Sequence, residues 1–331
     1  MNITLTKYLQ KRSAASILIG VVVCTILWFL PEITGLQDMS ATVDVMFMKH
    51  YVLWSWPVWI SHIVSFIFTL FVLIWLTDLC ESLQIIPIRS ALPFLLGLLL
   101  ISSVNYLQLF DERSIALMCF LVALKQLFGM YHFEWQVVAG FNITLMLGIA
   151  AFFEPQYIWL SALFILGMII FRVITRRIFL SVILAIMLIL IMSASIFWLF
   201  DALPILIDYT NKFIEVSILD PISVHRSDII FGVCFLILNL YSIFGYLVTN
   251  THYKLNVRFN FNFVNWGFWI SIIWVALFKG SFAQLIIIPI IFIILWSSLL
   301  FSTNHSNVTN ILFLSIIIIS IIYRVLWLLN F

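Results

Sequence analysis

The sequence predicts an all-α fold, a polytopic bundle of about eleven transmembrane helices in a single membrane domain, residues 1–331. Composition is the first reason, because 64% of the residues are hydrophobic and only 9% are charged. Soluble domains carry about 45–50% apolar and about 25% charged residues, so this chain cannot cover a water-facing surface with charge. The same composition excludes intrinsic disorder, which requires low hydrophobicity and high net charge.

Continuous apolar stretches are the second reason. A bilayer core about 30 Å thick needs about 20 apolar residues in a helix, with a range of ~17–25. On that scale the sequence has eleven candidate segments: residues 14–30, 58–77, 91–109, 115–129, 137–153, 157–171, 178–200, 228–248, 263–278, 282–301 and 310–329. Four of these are short, the fourth, fifth, sixth and ninth, so a count of ten or twelve stays open.

The distribution of charge is the third reason and sets the orientation, N-terminus inside and C-terminus outside. With alternating crossings, ten of the sixteen basic residues fall inside: Lys7, Lys11, Arg12, Arg89, Lys125, Arg172, Arg176, Arg177, Lys254 and Arg258. Such an excess of inner Lys and Arg is the positive-inside rule. Eleven of the fourteen acidic residues fall outside, and Arg324 is placed among the outer charges.

Two long outer segments, 31–57 and 201–227, carry the candidate catalytic residues. Asp38 and Asp44 follow the first helix, and Asp201 and Asp208 follow the seventh. Carboxylates at the mouth of a bundle could act as general bases, or hold a divalent cation against a phosphate. The alternative is that they are solvated loop acids. No other cofactor is predicted.

The same outer segments suggest surface structure. Residues 43–48 mix apolar and polar side chains and could form an amphipathic helix on the membrane surface. Residues 51–59 hold a tyrosine and three tryptophans, an aromatic belt of the kind found at membrane interfaces.

A tight hairpin is predicted between the fifth and sixth segments. Pro155 lacks a backbone donor and forces Glu154 out of helical geometry. Together with Gln156 and Tyr157, Glu154 could form one wall of a headgroup or sugar site. The alternative is a hairpin whose Tyr and Trp side chains only mark the interface.

An inner basic cluster follows the sixth segment. Arg172, Arg176 and Arg177 could hold the phosphate of an anionic lipid, since each cation near the surface contributes about 1 kcal/mol. The alternative is a topology signal that stops transfer of the helix.

Histidines and cysteines do not predict a metal site. The four cysteines are isolated and form no CxxC pair, and of the six histidines only His62 falls plausibly inside a helix. A membrane iron oxygenase needs several histidines at one site, so neither metal ligation nor disulfide pairing is predicted.

Several loose motifs resemble an uncharacterised family of Bacteroidota inner-membrane proteins, catalogued as a domain of unknown function. They are Ala123–Phe128 (ALKQLF), Phe141-Asn142, Gly148–Pro155 (GIAAFFEP), the basic turn Arg172–Arg177, Lys254–Arg258 (KLNVR) and Ile288-Pro289-Ile290. The resemblance implies a polytopic inner-membrane protein and supplies no activity, ligand or catalytic residue. Members occur near genes for polyprenol-linked sugar transfer, which associates the family with the cell envelope.

Three functions remain open from the sequence. The leading hypothesis is a scaffold or subunit of a membrane complex in cell-envelope biogenesis, with a membrane-protein partner. The second is an enzyme resembling polyprenyl-phosphate-dependent glycosyltransferases, acting at the outer leaflet on a polyprenyl-phosphate-linked glycan. The third is a flippase or carrier for a lipid-linked substrate. Membrane lipids are expected ligands, and nucleic acid is not.

Overall fold

Helices make up almost all of the structure. The computed structural model describes residues 14–30, 42–44, 55–82, 91–104, 110, 112–130, 136–199, 226–249, 255–277, 286–303 and 307–328. Within them the chain forms eleven α-helices: α1 (Ala14–Trp28), α2 (Val58–Ser82), α3 (Leu92–Ser103), α4 (Glu112–Gly129), α5 (Gln136–Phe153), α6 (Ser161–Ile170), α7 (Arg176–Leu199), α8 (Arg226–Thr249), α9 (Leu255–Leu277), α10 (Ile287–Thr303) and α11 (Asn307–Leu328). The all-α class predicted from the sequence is confirmed.

Each α-helix coincides with one of the eleven apolar segments. In the described ranges, three helices have the length and apolar composition that a membrane span requires: Trp59–Ser82, Gln136–Phe153 and Arg176–Leu199. Five further ranges are apolar but shorter: Leu92–Ser103, Gln156–Ile170, Phe231–Phe244, Ile287–Ser297 and Phe313–Val325. The number of membrane crossings therefore stays a prediction.

Local structure departs from the predicted segments in several places. α9 begins at Leu255, eight residues before the predicted segment 263–278, and α2 continues to Ser82, five residues beyond the predicted 58–77. α3 ends at Ser103, where Val104 turns to extended geometry, so the helix is only about 18 Å long. The sixth segment begins as a 3₁₀ helix, Pro155–Leu160, which continues into α6. Because a 3₁₀ helix rises about 2.0 Å per residue, the two pieces together reach about 27 Å, close to the thickness of a bilayer core.

A short β-hairpin lies between α1 and α2. β1 (Thr42–Asp44) pairs antiparallel with β2 (Ser55–Pro57), so that Val43 is opposite Trp56 and Asp44 is opposite Ser55. The amphipathic helix predicted for residues 43–48 is therefore wrong for its first two residues. The physical reason is a partner strand, which the local pattern of side chains could not reveal. The other four residues lie outside the described part of the chain.

The centre of the bundle is filled by α10 and an aromatic cluster. Residues 286–297 are buried without interruption, and α10 packs on α3, α8 and α9. Phe292 of α10 lies 6.5 Å from Phe120 and 6.2 Å from Phe263, between ring centroids. Phe120 in turn makes an edge contact with Phe164 at 5.7 Å. Rings from four helices thus close the middle of the molecule.

In contrast to α10, the helix α7 is mostly exposed. It packs on α5 through a narrow buried stripe, Ile178, Ser181, Ala185 and Phe197. Most of its other side chains are large, apolar and exposed, up to 73% for Leu199. An apolar helix that is exposed on most of its circumference is typical of contact with lipid.

Contacts between helix termini join seven of these elements at one end of the bundle. In order, they are Leu27–Arg324, Trp28–Phe66, Ser61–Phe110, Arg113–Glu154, Gln156–Trp274 and Phe231–Tyr323. These pairs bring together the C-terminal parts of α1, α5, α9 and α11 and the N-terminal parts of α2, α4 and α8. We call this region the Arg324 end.

Candidate functional site

The four predicted catalytic acids are mostly outside the structure described. Asp38, Asp201 and Asp208 lie in residues that the structure does not describe. Asp44 is the last residue of β1, where its backbone faces Ser55, and this hairpin packs on the beginning of α2. Asp44 is thus placed at the Arg324 end, and the convergence of all four acids stays a prediction.

Glu154 has the backbone geometry predicted for it. Its φ of −133° and ψ of 102° are extended, and Pro155 occupies the first position of the 3₁₀ helix. The Arg113 Nε atom donates a hydrogen bond to Glu154 Oε2 at 3.1 Å, which fastens the start of α4 to the hairpin. Burial raises the pKa of Glu154, while the positive charge and hydrogen bond of Arg113 act in the opposite direction.

Gln156 and Tyr157 are held in the hairpin by aromatic neighbours. The Trp274 indole nitrogen donates to the main-chain oxygen of Gln156 at 3.1 Å. Tyr157 is only 3% exposed, and its ring lies 6.2 Å from Phe120 and 5.8 Å from Trp274. The structure places the Tyr157 ring in the core, and binding by Glu154 and Gln156 stays a prediction.

The basic turn between α6 and α7 is exposed. Arg172, Arg176 and Arg177 all have exposed side chains, as a contact with lipid phosphate requires. Arg172 has a φ of 56°, in the left-handed region, and its N–H donates to the Ile169 carbonyl at 3.0 Å. This backbone geometry ends α6 and turns the chain into α7.

The strongest candidate site is a buried cation that the charge pattern of the sequence places among the outer residues. Arg324, in the last turns of α11, has a fully buried side chain. Its Nε donates to the Leu27 carbonyl at 3.2 Å and its Nη2 to the Trp28 carbonyl at 3.4 Å. These oxygens belong to the C-terminus of α1. This terminus is the negative end of the helix dipole, so the contact stabilises the cation. The charge count places Arg324 with the outer residues and carries no information about its burial, and its side of the membrane stays a prediction.

His62 lies near this cation, and Ser61 is the residue before it in α2. His62 is fully buried in the second turn of α2. Ser61 Oγ accepts a hydrogen bond from the Phe110 N–H at 2.8 Å and donates to the Phe110 carbonyl at 3.3 Å. Ser61 therefore joins the entry to α4 to the beginning of α2.

Trp28 adds a hydrogen-bond donor to the same region. Its side chain is 1% exposed and makes an edge contact with Phe66, at 5.5 Å between centroids. Its Nε1–H has no hydrogen-bond partner within the described residues. An indole N–H and a guanidinium are both donors that cannot accept, so the side chains of Trp28 and Arg324 can only donate hydrogen bonds. Side chains of this kind suit ligands that accept hydrogen bonds.

Two further findings bear on cofactors and relatives. Within the described residues no group of three or more His, Cys, Asp or Glu side chains could hold a metal ion. No protein-family model, curated protein or solved structure matches this chain. The assignment of function therefore depends on the chemistry of the site itself.

Proposed function

We propose that this chain is a multi-pass protein of the bacterial inner membrane that binds the phosphate of a lipid at its Arg324 end during envelope biogenesis. The proposal includes about eleven crossings, with the N-terminus inside and the C-terminus outside. The basic residues that fall inside and the exposed apolar surface of α7 support this arrangement. The resemblance to the uncharacterised Bacteroidota family supports the inner membrane and the envelope.

The burial of Arg324 is the observation that carries the proposal. A charged side chain within a membrane helix costs about 2.5–3.5 kcal/mol at the helix centre on insertion scales, and such residues usually mark functional sites. Carbonyl oxygens of α1 accept hydrogen bonds from the guanidinium and orient it. Phosphate oxygens are acceptors that suit the bidentate geometry that arginine favours. The Trp28 Nε1–H supplies one more donor.

A buried phosphate site also serves the leading hypothesis from the sequence. A membrane subunit that holds a lipid by its phosphate would position the attached group for a partner protein. α7 supports such a partner, because its exposed apolar surface runs the whole length of the helix. Copurification of a membrane protein at a fixed stoichiometry, abolished by changes on α7, would test this part.

The enzyme hypothesis is the second candidate, favoured by the position of Asp44. β1 lies against the beginning of α2, the helix that carries His62, so Asp44 and the buried cation belong to the same end. The changes Asp38→Asn, Asp44→Asn, Asp201→Asn and Asp208→Asn should abolish complementation without lowering protein level if these acids are catalytic. A flippase needs a polar cavity through the bundle, and the aromatic centre supports it least.

Lipid binding by the purified full-length protein tests the proposal. The protein is placed in phosphatidylcholine nanodiscs, and native mass spectrometry compares polyprenyl phosphate with the matching prenyl alcohol. We expect the wild type to prefer the phosphate at least tenfold, because only the phosphate carries a charge for Arg324. Arg324→Gln should remove the preference. Trp28→Phe should lower it about fivefold, the effect of one hydrogen bond worth roughly 1 kcal/mol.

Lys125→Gln is the matched control for loss of one positive charge. Lys125 is exposed and its Nζ lies 5.3 Å from the centroid of Trp75, in the opposite half of the bundle from Arg324. This variant should keep the full preference for phosphate. Equal binding of phosphate and alcohol by the wild type, or an unchanged preference in Arg324→Gln, would overturn the proposal.

A further inference from the structure

A cavity of about 190 Å³ lies between α8 and α11. Its walls are mostly apolar and include Leu100 of α3, Phe231 and Phe235 of α8, and Ile316 and Ile319 of α11. No described residue that lines the cavity carries a charge. An ion without a paired charge is costly to bury, so the cavity suits a neutral molecule.

The cavity opens on the apolar surface of α8. Ile237 lines the cavity and is 54% exposed, and it shares one face of the helix with the exposed side chains of Val233 and Leu240. In the membrane, lipid tails would cover this face. A ligand therefore reaches the cavity through the bilayer, which requires it to be soluble in the membrane.

The size of the cavity limits the part of the ligand inside it to a single ring. An apolar cavity of ~150 Å³ holds benzene, so a cavity of about 190 Å³ holds one ring with a few further atoms. A molecule of several fused rings is too large for this space.

One buried polar group in this cavity points to a ligand with an acceptor atom. Ser320 is 1% exposed and lines the cavity, and its Oγ has no hydrogen-bond partner among the described residues. Other buried hydroxyls, those of Ser297, Ser242 and Thr77, donate to the carbonyl four residues earlier. A buried donor left without a partner costs about 1–3 kcal/mol, so the Ser320 hydroxyl favours a ligand that accepts its hydrogen bond.

Two phenylalanine rings give the cavity walls that suit a further ring. Phe231 and Phe235 meet edge to face, with centroids 4.5 Å apart and planes inclined by 88°. Tyr323 stacks on Phe231 with centroids 4.3 Å apart, which holds the Phe231 ring in place. Contacts between aromatic rings contribute about 0.5–1.5 kcal/mol beyond the area that they bury, so a planar ring in the cavity gains from these neighbours.

Competition with the bilayer separates a ring from a lipid tail. Lipid tails are as apolar as the side chains of the cavity, so transfer of an alkyl chain from bilayer to cavity yields little hydrophobic free energy. Only contacts that the bilayer interior does not offer then favour one occupant over another. These are the hydrogen bond from Ser320 and the ring contacts with Phe231 and Phe235, and an alkyl chain makes neither of them.

We infer that this cavity binds a neutral, membrane-soluble molecule with one planar ring and a carbonyl group on that ring, the chemistry of an aryl ketone. The carbonyl oxygen accepts the hydrogen bond from Ser320, and the ring lies against Phe231 and Phe235. A carbonyl suits the site better than a hydroxyl, because it accepts without bringing a second donor into apolar surroundings. The inference takes only the membrane surroundings from the proposed function and involves neither Arg324 nor a phosphate.

Photolabelling of the full-length protein in phosphatidylcholine nanodiscs tests the inference. The probes are para-azidoacetophenone and para-azidoethylbenzene, which have nearly the same shape but differ in the carbonyl oxygen. Peptide mass spectrometry locates the label, and labelling of the exposed helix α7 corrects for the amount of each probe in the bilayer. We then expect residues 231–238 and 315–320 to be labelled about fivefold more by the ketone, the effect of one hydrogen bond worth roughly 1 kcal/mol.

Two competitors test the ring. Excess acetophenone should displace the ketone probe from the cavity about two- to tenfold more strongly than hexyl methyl ketone, which has the carbonyl group but no ring. Equal displacement by the two competitors would overturn the planar ring.

Variants of the cavity test the contacts. Ser320→Ala should remove the preference for the ketone probe with little effect on folding. Ser297→Ala is the matched control, because Ser297 is equally buried, bonds within its own helix and lies outside the cavity. Ile319→Phe places a ring in the cavity and should lower labelling by both probes at least fivefold. Ile318→Phe, at a position that is 55% exposed and outside the cavity, should leave labelling unchanged.

Equal labelling of the cavity by the two probes, or a preference for the ketone that Ser320→Ala leaves unchanged, would overturn the inference. Either result would show a cavity filled by lipid tails and would leave the proposed function intact, because the preference for phosphate is measured with other ligands and other variants. Loss of the preference for phosphate alone would overturn the proposed function and leave this inference standing.

Discussion

The packing of α6 in the centre of the bundle gives a sharp prediction, because Gly167 has no room for a side chain. A Cβ atom at this position would lie 2.6 Å from Leu127 Cδ2 and 2.8 Å from Phe263 Cε2. The Leu127 side chain could rotate away. The Phe263 ring cannot yield easily, since it is fully buried and makes an edge contact with Phe128 at 5.3 Å. Gly167→Ala should therefore force the helices apart.

The size of the loss in stability follows from a comparison with Gly129, the last residue of α4. A Cβ at Gly129 would have no atom within 4 Å. Both substitutions gain helix propensity, up to about 1 kcal/mol, and this gain largely cancels in the difference between them. The remaining term is overpacking, which costs about 1–3 kcal/mol in a well-packed core. Gly167→Ala should be less stable than Gly129→Ala by that amount.

Thermal unfolding in detergent measures this difference. The buried thiols of Cys24 and Cys80 become reactive when the bundle opens, so a thiol-reactive fluorophore reports unfolding. Since 1 kcal/mol corresponds to roughly 2–4 °C for chains of about 150–250 residues, we expect Gly167→Ala to unfold several degrees below Gly129→Ala. Equal unfolding temperatures would refute the close packing of α6 against α4 and α9.

Further predictions concern the ion pair and the serine at the Arg324 end. Burial raises the pKa of Glu154, so the folded protein binds the carboxyl proton of Glu154 more tightly than the unfolded chain does. The resulting stabilisation of the folded state is complete below the unfolded pKa and disappears as the pH rises through the folded pKa. The unfolding temperature of the wild type should therefore fall as the pH rises above about 4.5, and that of Glu154→Gln should fall less. Parallel curves of unfolding temperature against pH would contradict this. Arg113→Gln removes the favourable charge and should lower stability at neutral pH by about 1 kcal/mol, a modest value because the pair is partly exposed; an unchanged unfolding temperature would count against the pair. Ser61→Ala deprives the Phe110 N–H of its acceptor and should cost about 1–3 kcal/mol, whereas Ser195→Ala, which removes an exposed bond within one helix, should cost little; equal effects would refute this role of Ser61.

The positions of the helices could be predicted because they depend on local composition. Runs such as residues 290–295 and 316–319 are continuous and apolar, and a helix is the structure that satisfies the backbone of such a run. The geometry at Glu154 was predictable for a similar reason, since Pro155 restricts its neighbour through steric contact. Both features depend on residues close in sequence.

The candidate site could not be predicted because it depends on contacts between distant parts of the chain. Arg324 is close in sequence to the end of an apolar segment, and a count of charges cannot tell a solvated arginine from one turned towards α1, 297 residues away. The hairpin at Asp44 requires a partner strand, and the burial of Tyr157 depends on Trp274. Among the residues of the candidate site, the sequence singled out His62 alone, because it is the one histidine that falls inside a predicted helix.

The central position of α10 has a consequence for how the protein is made. Among the described helices only α11 leaves the ribosome after α10, yet α10 fills the middle of the bundle and packs on α3, which is synthesised almost 200 residues earlier. A Cβ at Gly97 of α3 would lie 3.1 Å from Ile294, so the two helices fit closely. Until α10 is synthesised, the earlier helices lack the side chains that fill their centre. A chain that terminates before residue 287 would keep α1 to α9 but lack the helix that packs between them, and quality-control proteases should remove it.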